Sequence, residues 1–393
     1  MFKRSLLFAI LLSIAVLAAA CSDEVHDAAV EATARALQTT IPMTATQRAT
    51  LIPNPYEQLR TAQAQATAVA AGVQATMTAV SRLQLQQADA TAQAFAPVIA
   101  ELPFFGVDPN TEGRPGWLHP PLTLTAKGYH SYTYGTDYPR TVVRDGVLSS
   151  KITWNTRYGT GGCGFVLRAN GDEQKPSQYV VLMTRGGWLF FLIFKDGQIA
   201  NLRPIAIRDK DSKYDWHNDA TNELTVVMRN DRIAVYTNRV LHKVFDPNEM
   251  PSLYVPVAAP PPSVAGEVTP PSLPPPPQPP ASRDGLASYL AAVETYRAQA
   301  ATLLNKYVRR LNAMIKSENN PSKRAALEGY RATILQERSL LNKSASAIQF
   351  YVQHPDADLN FGAGFLSFVA AAESSYATCN FHDSWLWVLD EGG

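Results

Sequence analysis

Residues 163 to 172, Cys-Gly-Phe-Val-Leu-Arg-Ala-Asn-Gly-Asp, open a series of short apolar runs that leaves this chain few ways to fold. The runs Gln178 to Thr184, Trp188 to Lys195, Glu223 to Arg229, Arg232 to Asn238 and Val240 to Phe245 are rich in aromatic and β-branched residues. Such residues fit a pleated, half-buried surface. Asn170-Gly171-Asp172, Gly186-Gly187, Asp196-Gly197 and Asn230-Asp231 lie between or beside them, and these are residue types that tight turns demand. Leu224, Val226 and Met228, then Ile233 and Val235, alternate as half-buried strands should. Repeated short strands at this pitch point to an antiparallel sandwich or barrel. Arg140 to Val143, Asp145-Gly146 and Val147 to Trp154 read as a further hairpin in it.

The chain has 393 residues, yet only about half is patterned like a buried core. One principal domain with accessory segments is therefore the expected organisation. Charged residues make up 18% and the net charge is +1. That balance lacks the basic footprint needed to neutralise many phosphates, so nucleic acid is not an expected partner.

At the N-terminus, Lys3 and Arg4 precede an apolar stretch from Leu6 to Val16, too short to span a bilayer comfortably. Leu17-Ala18-Ala19-Ala20 then leads to Cys21. This resembles a bacterial lipoprotein signal, with Leu17 one position further from the cysteine than the usual pattern places its leucine. The resemblance implies cleavage after residue 20, lipidation of Cys21, and an exported protein anchored on the extracytoplasmic side of a membrane. An ordinary secretory signal cut nearby is the alternative.

Residues 21–100 are rich in Ala, Thr and Gln, with a break at Asn54-Pro55 that divides a linker from a helical stalk. Leu59, Ala62, Ala66, Val69, Val73, Met77, Val80 and Leu83 recur at helical spacing, predicting a helix from Tyr56 to Phe95 of about 60 Å. Its thin apolar stripe needs a partner face, either a second copy or the sandwich. A fluctuating helix or coil is the alternative, because threonine and Gly72 lower helix propensity.

Several strands in order carry a second resemblance: residues 143–148 (Val-Arg-Asp-Gly-Val-Leu), 162–169 (Gly-Cys-Gly-Phe-Val-Leu-Arg-Ala), 179–182 (Tyr-Val-Val-Leu), 222–226 (Asn-Glu-Leu-Thr-Val) and 233–238 (Ile-Ala-Val-Tyr-Thr-Asn). Together they look like a concanavalin A-like or laminin G-like jelly roll. The likeness implies two curved antiparallel sheets, often used to hold sugars on the concave face. The family's closing strands are missing where expected, and segments fitting them occur at residues 361–369 and 379–389. The expected fold is thus mainly β with helical additions, the sandwich being discontinuous over 101–246 and 359–393. The last strand is apolar on both faces, Trp385 with Trp387 and Leu386 with Val388, and so belongs in mid-sheet.

The inserted residues have two parts. Segment 247–281 is proline-dense and reads as an extended polyproline II spacer, with docking of proline-reading modules as an alternative. Segment 282–358 reads as an antiparallel helical hairpin. Ser282 is its expected cap, Asn319-Asn320-Pro321-Ser322 its turn and Pro355 its end. Arg309, Arg310, Lys323 and Arg324 near the tip form either a solvated face or a contact for anionic polymer or phospholipid.

With Cys21 acylated, Cys163 and Cys379 remain in an oxidising compartment. A disulfide between the central strand and the closing strand would fasten the late segments to the sheet. Two buried free cysteines are the alternative.

The sequence contains no Gly-x-Ser-x-Gly elbow, no His-Glu-x-x-His, no phosphate loop and no closely spaced metal cysteines. His217, near Asp215 and Asp219, reads first as a satisfied loop histidine. Sugar hydrolases of this fold carry Glu-x-Asp-x-x-Glu on one strand, and no such strand occurs; Asp172-Glu173 sits in a turn. Neither catalysis nor a cofactor is expected, and no calcium ligand cluster is evident. Trp154, Tyr158, Trp188 and Trp216 are the residues on which a sugar ring could stack, with a place in the core as the alternative for each. Two functions follow as expectations. One is a surface-anchored module binding glycan or another envelope component; the other is an assembly lipoprotein contacting protein partners through the stalk and hairpin; a sugar-active hydrolase, by fold analogy only, comes third.

Overall fold

The computed structural model describes residues 55–158, 161–207, 210–256, 258–280, 282–373 and 375–390. The signal segment, Cys21 and the linker to residue 54 lie outside them. The chain divides between Ala88 and Asp89. Helix α1, Pro55–Glu101, crosses that boundary. In its first part Val69, Val73, Met77 and Val80 are all exposed, so the predicted stripe exists as a helix face.

From Asp89 onward the chain builds two seven-stranded antiparallel sheets. The first joins β1 (Arg114–His119), β14 (Tyr376–Val388), β5 (Gly146–Thr156), β10 (Thr221–Arg229), β11 (Arg232–Thr237) and β12 (Val240–Phe245) in that order, with β2 (Leu122–Lys127) also on β14. The second runs β3 (Ser131–Gly135), β13 (Gly364–Ala372), β6 (Gly161–Ala169), β7 (Gln178–Thr184), β8 (Trp188–Lys195) and β9 (Gln198–Ala206), with β4 (Val142–Val143) on β13. The late strands β13 and β14 therefore lie within the sheets, and the expected jelly-roll type of β-sandwich with helical additions is the observed fold. Strand β9 escapes the sequence pattern because Arg203 and Pro204 interrupt it. Proline is tolerated there because β9 is an edge strand that needs no outward ladder donor.

Period-two alternation assigns the inner faces. Phe165, Tyr179, Val181 and Phe191 from one sheet meet Ile152, Trp154, Leu224 and Val226 from the other. Cys163 and Cys379 point into the same layer and are bonded, with Cα atoms 5.8 Å apart, so the disulfide joins the sheets across the core.

Asp145-Gly146 is not a hairpin turn. Strand β4 pairs with β13 in the second sheet, whereas β5 pairs with β10 and β14 in the first, so these residues carry the chain between sheets. Asp145 is buried instead, where its carboxylate accepts from Arg168 Nη2 at 3.1 Å and from the Asn230 amide at 2.7 Å. Arg168, 2% exposed, also donates to the carbonyls of Arg144, Phe361 and Asn230. A buried pair with its remaining donors satisfied is tolerated, and removing one member of such a pair costs about 3–5 kcal/mol. Beside it the Tyr179 hydroxyl donates to the Leu359 carbonyl and accepts from the Phe361 amide, which brings the chain back into the sandwich after the insertion.

The inserted helices are α2, Leu286–Ser317, and α3, Pro321–Gln353. Asn320 caps α3, accepting from the amides of Ser322 and Lys323. Ser282 does not cap α2: a single 3-10 turn, Arg283–Gly285, intervenes, and Gly285 holds the cap position. A Cβ at Gly285 would lie 2.7 Å from the Cβ of Pro280, so the closely packed proline leaves room only for glycine. Leu340 and Ala347 of α3 pack onto Val166, Val180, Leu182, Phe190 and Leu192, covering the outer face of the second sheet.

Nor is the proline-dense segment a spacer. Val264 and Val268 are buried among Leu304, Tyr307, Leu311, Leu327, Tyr330 and Ile334 of the hairpin. Tyr254 is buried against the sheet, with its amide on Ser344 Oγ at 3.0 Å. Proline keeps the strap extended at low entropic cost, while the interspersed valines, leucine and tyrosine supply the apolar area that anchors it.

The other outer face is covered in part by Phe95 and Val98 of α1, with Leu102, Phe105 and Val107 beyond it, over Trp385, Trp387, Val147 and Val227. The segment beginning at Leu102 is a short 3-10 turn and not a strand.

Replacing Cys163 and Cys379 together by alanine should leave the fold recognisable but lower its stability. The closed loop spans 216 residues, for which the chain-entropy model gives at most about 5 kcal/mol. Denaturant titration of the oxidised protein and the double variant checks this; equal midpoints would rule out the bond as a brace.

Candidate functional site

At one end of the sandwich a cavity of about 640 Å³ opens between the strand-connecting loops, the strap and helix α3. That volume falls in the range of small-ligand sites. Tyr158, Trp188 and Trp216 line it together, with Arg157 and Arg185 on the loop side and Glu328, Gly329, Tyr330 and Gln336 on the helix side. Three of the four aromatic residues singled out in the sequence thus converge, although 58 residues of sequence separate the first from the last. The fourth does not join them. Trp154 is 1% exposed in the core and donates from Nε1 to the His217 carbonyl at 2.9 Å, so it has no ring face for a ligand.

Trp216 is the most open of the three, at 41% exposure, and its loop is held from both sides. Asn222 accepts from the Asp215 amide and donates to its carbonyl. Asn218 makes the same reciprocal pair with the backbone of Thr156. The Asp219 amide donates to the Trp154 carbonyl at 2.8 Å. His217 stacks on the Trp216 ring at 4.1 Å, and its Nδ1 lies 2.7 Å from Asp215 Oδ1. The histidine is therefore a brace for the tryptophan. Its backbone and ring hydrogen bonds hold the Asp215 carboxyl below the ordinary carboxylate value. Trp188 is half-buried and meets Tyr254 of the strap edge-on at 6.0 Å. The Asp172 carboxylate accepts from the amides of Gln174 and Lys175, and so serves its own turn.

Beneath this loop lies a buried polar cluster. Asp211 accepts from the Thr237 hydroxyl at 2.6 Å and from Asn238 Nδ2 at 2.9 Å, and His242 Nε2 lies 2.6 Å from the same hydroxyl. The single hydroxyl hydrogen goes to Asp211, which makes Nε2 the protonated nitrogen of His242. Nδ1 is buried without a partner among the described residues. Burial lowers the histidine's pKa from its ordinary value, Lys210 adds to the shift, and Asp211 opposes it.

A second cavity, about 440 Å³, lies between the end of α1 and the outer face of the first sheet. Glu223, Lys151, Asp383 and Ser149 line it beside Glu101, Val98 and Trp385. Burial, and then the charge of Glu101, raise the Glu223 carboxyl above its ordinary value. Asp383, on a bulge of β14, is lowered by its hydrogen bond to Lys151 Nζ at 2.9 Å. Among the described residues no group of three or more His, Cys, Asp or Glu side chains is placed to hold a metal ion. No helix among them is long and apolar enough to cross a membrane.

Sequence reasoning missed Arg157, Arg185, Glu328 and Gln336. The two arginines had a signal, since each adjoins or nearly adjoins a chosen aromatic residue. Nothing in the local pattern of α3 marks which of its faces meets the cleft.

No protein-family model and no curated protein matches the chain. Among solved structures, it is similar to the carbohydrate-binding module CBM66 from Bacillus subtilis, with 14% identity and a TM-score of 0.25 over 33% of this chain and 80% of that one. It is similar to sheep galectin-11, with 13% identity and a TM-score of 0.23 over 30% and 79%. It is also similar to the catalytic domain of an endo-1,3-beta-glucanase (laminarinase) from Thermotoga petrophila, with 6% identity and a TM-score of 0.32 over 70% and 78%. The architecture rests on the sheet topology itself.

The buried His242 predicts acid sensitivity. The folded state resists protonating it, whereas the unfolded chain takes the proton near the ordinary value of about 6.5. Stability from this group is full above that value and is lost as the pH falls toward the lower folded value. Melting temperatures from pH 8 to 5 should fall more steeply for the native protein than for His242→Gln, which cannot titrate; parallel curves would contradict the assignment.

Proposed function

We propose that the protein is an exported, non-catalytic glycan-binding lipoprotein, held at the extracytoplasmic side of a membrane by lipidated Cys21, with its sugar in the cleft of Tyr158, Trp188 and Trp216. The observation that carries this reading is the convergence of three aromatic side chains, from two loops and the start of strand β8, on one cavity, at least one of them widely open to solvent. Sugar rings present apolar C–H faces that stack on aromatic rings, and their hydroxyls pair with flanking polar groups. A loop held by reciprocal hydrogen bonds lowers the entropic cost of binding, because Trp216 is already placed.

The assembly reading fares less well. No large apolar side chain is strongly exposed among the described residues of the hairpin and strap; those residues are occupied by the sheet and by each other. At the tip, Lys323 pairs with Glu267, and Arg324 donates to the Glu318 carbonyl. Among the described residues, α1 carries an open apolar stripe of Val69, Val73, Met77 and Val80. Hydrolysis is not proposed for the second cavity. Glu223 has the raised pKa of a general acid, but Asp383, its would-be partner, is neutralised by Lys151.

Glycan-array binding by the full chain should fall at least tenfold for Trp216→Ala with an unchanged circular dichroism spectrum. Filling the cleft from the helix side, where a Cβ at Gly329 meets nothing within 4 Å, should do the same through Gly329→Leu. Undiminished glycan binding by both variants would move the site elsewhere.

A further inference from the structure

The two guanidinium groups in the cleft are not equivalent. Arg157 is occupied: its Nη2 lies 3.7 Å from Glu328, and its plane sits 5.3 Å from the Tyr158 ring centre. Arg185 is half-buried, and among the described residues no carboxylate lies within ion-pair distance of it. Its Nη1 donates to the Thr156 carbonyl at 3.0 Å, and its own amide donates to the Gly161 carbonyl, so the side chain is placed from both ends. One Nη1 hydrogen is thereby committed, and the edge formed by Nε and Nη2 remains for a bidentate acceptor.

Leaving a cation partly out of water without a counter-charge is costly, and burial indeed lowers the Arg185 pKa from its ordinary value. A ligand carboxylate would remove that cost. Gln336 adds a neutral polar group to the same wall. It lines the same cavity, the residue is only 7% exposed, and its side-chain amide has no hydrogen-bond partner among the described residues. A side-chain amide at the cleft wall offers both a donor and an acceptor to the hydroxyls of a bound sugar. Among the described residues lining the cleft, two guanidiniums face the single carboxylate of Glu328, an excess of positive charge.

Resting on the glycan-binding reading, we infer that the sugar is acidic: a carboxylated saccharide whose ring lies against Trp216 and Trp188 and whose carboxylate is taken by Arg185. A planar carboxylate matches the free edge of the guanidinium, and a neutral sugar would leave that cation unpaired.

The experiment is calorimetric titration of the full chain with a panel of oligosaccharides built from uronic acids or ending in sialic acid. Each acid is paired with its methyl ester, and neutral and sulfated oligosaccharides of equal length are included. An acid should bind at least tenfold more tightly than its own ester, and its affinity should fall with added salt while the ester's does not. Arg185→Gln should reduce the acid to the affinity of the ester and leave the ester unchanged. Arg157→Gln should have a smaller effect. Acid and ester binding equally, with Trp216→Ala weakening both, would overturn the acidic ligand and keep the glycan site. Preference for the sulfated oligosaccharide would overturn the carboxylate assignment. Failure of every saccharide to bind, with folding verified by circular dichroism, would remove the glycan reading itself.

Discussion

The four N-terminal strands reach the rest of the sandwich only through the last two. Strands β1 and β2 pair with β14, and β3 and β4 pair with β13. Beyond them β14 pairs with β5, and β13 with β6. Remove the final segment and each sheet separates into a detached N-terminal portion and a middle portion with an unpaired edge. Unpaired edges cannot remain buried, because their backbone groups lose water without gaining partners. The sandwich therefore closes only when the end of the chain has returned, across a long sequence separation whose loop-closure entropy opposes the step. The inter-sheet disulfide and the Arg168–Asp145 pair both lie where this return is made secure.

The same constraint explains the helical hairpin. A chain that must leave the sandwich after β12 and come back as β13 can pack its excursion onto the nearest apolar surface, the outer face of the second sheet. Helix α3 does so with Leu340 and Ala347, and the proline strap closes over the hairpin with Val264 and Val268. That outer face is thereby covered. One opening lies at the end of the sandwich, where loops, strap and helix meet around Trp188 and Trp216.

That end cleft and the cavity on the first sheet differ in how their charges are settled. Around Glu223 the neighbouring charges are paired off, Lys151 with Asp383 and Arg239 with Glu101. In the end cleft Arg185 has no such partner among the described residues, and the aromatic surface beside it is apolar and rigidly placed. Ligand chemistry is read more directly from the second arrangement, because an unmatched guanidinium and open aromatic rings each specify a complementary group.

Much of the sandwich was legible because alternation is a local property. Strands β7, β8 and β12 begin and end where their apolar runs do, and the last strand's mid-sheet place was readable from its two apolar faces. The hairpin at Asp145-Gly146 was misread because the same two residues suit a turn or a crossing, and only pairing partners distinguish them. Strand β9 was hidden by Arg203 and Pro204, and the strap by prolines whose spacing says extended but not what they rest against. Sequence alone determined the residue types available to the site, Tyr158, Trp188 and Trp216 among them, since aromatic side chains outside a clear core pattern stand out locally. Only the tertiary structure decided that Trp154 is core, that Arg185 lacks a counter-charge among the described residues, and that Gln336 of a distant helix completes the cleft. Burial and charge pairing depend on what the rest of the chain brings within a few ångströms, and no local stretch of sequence holds that information.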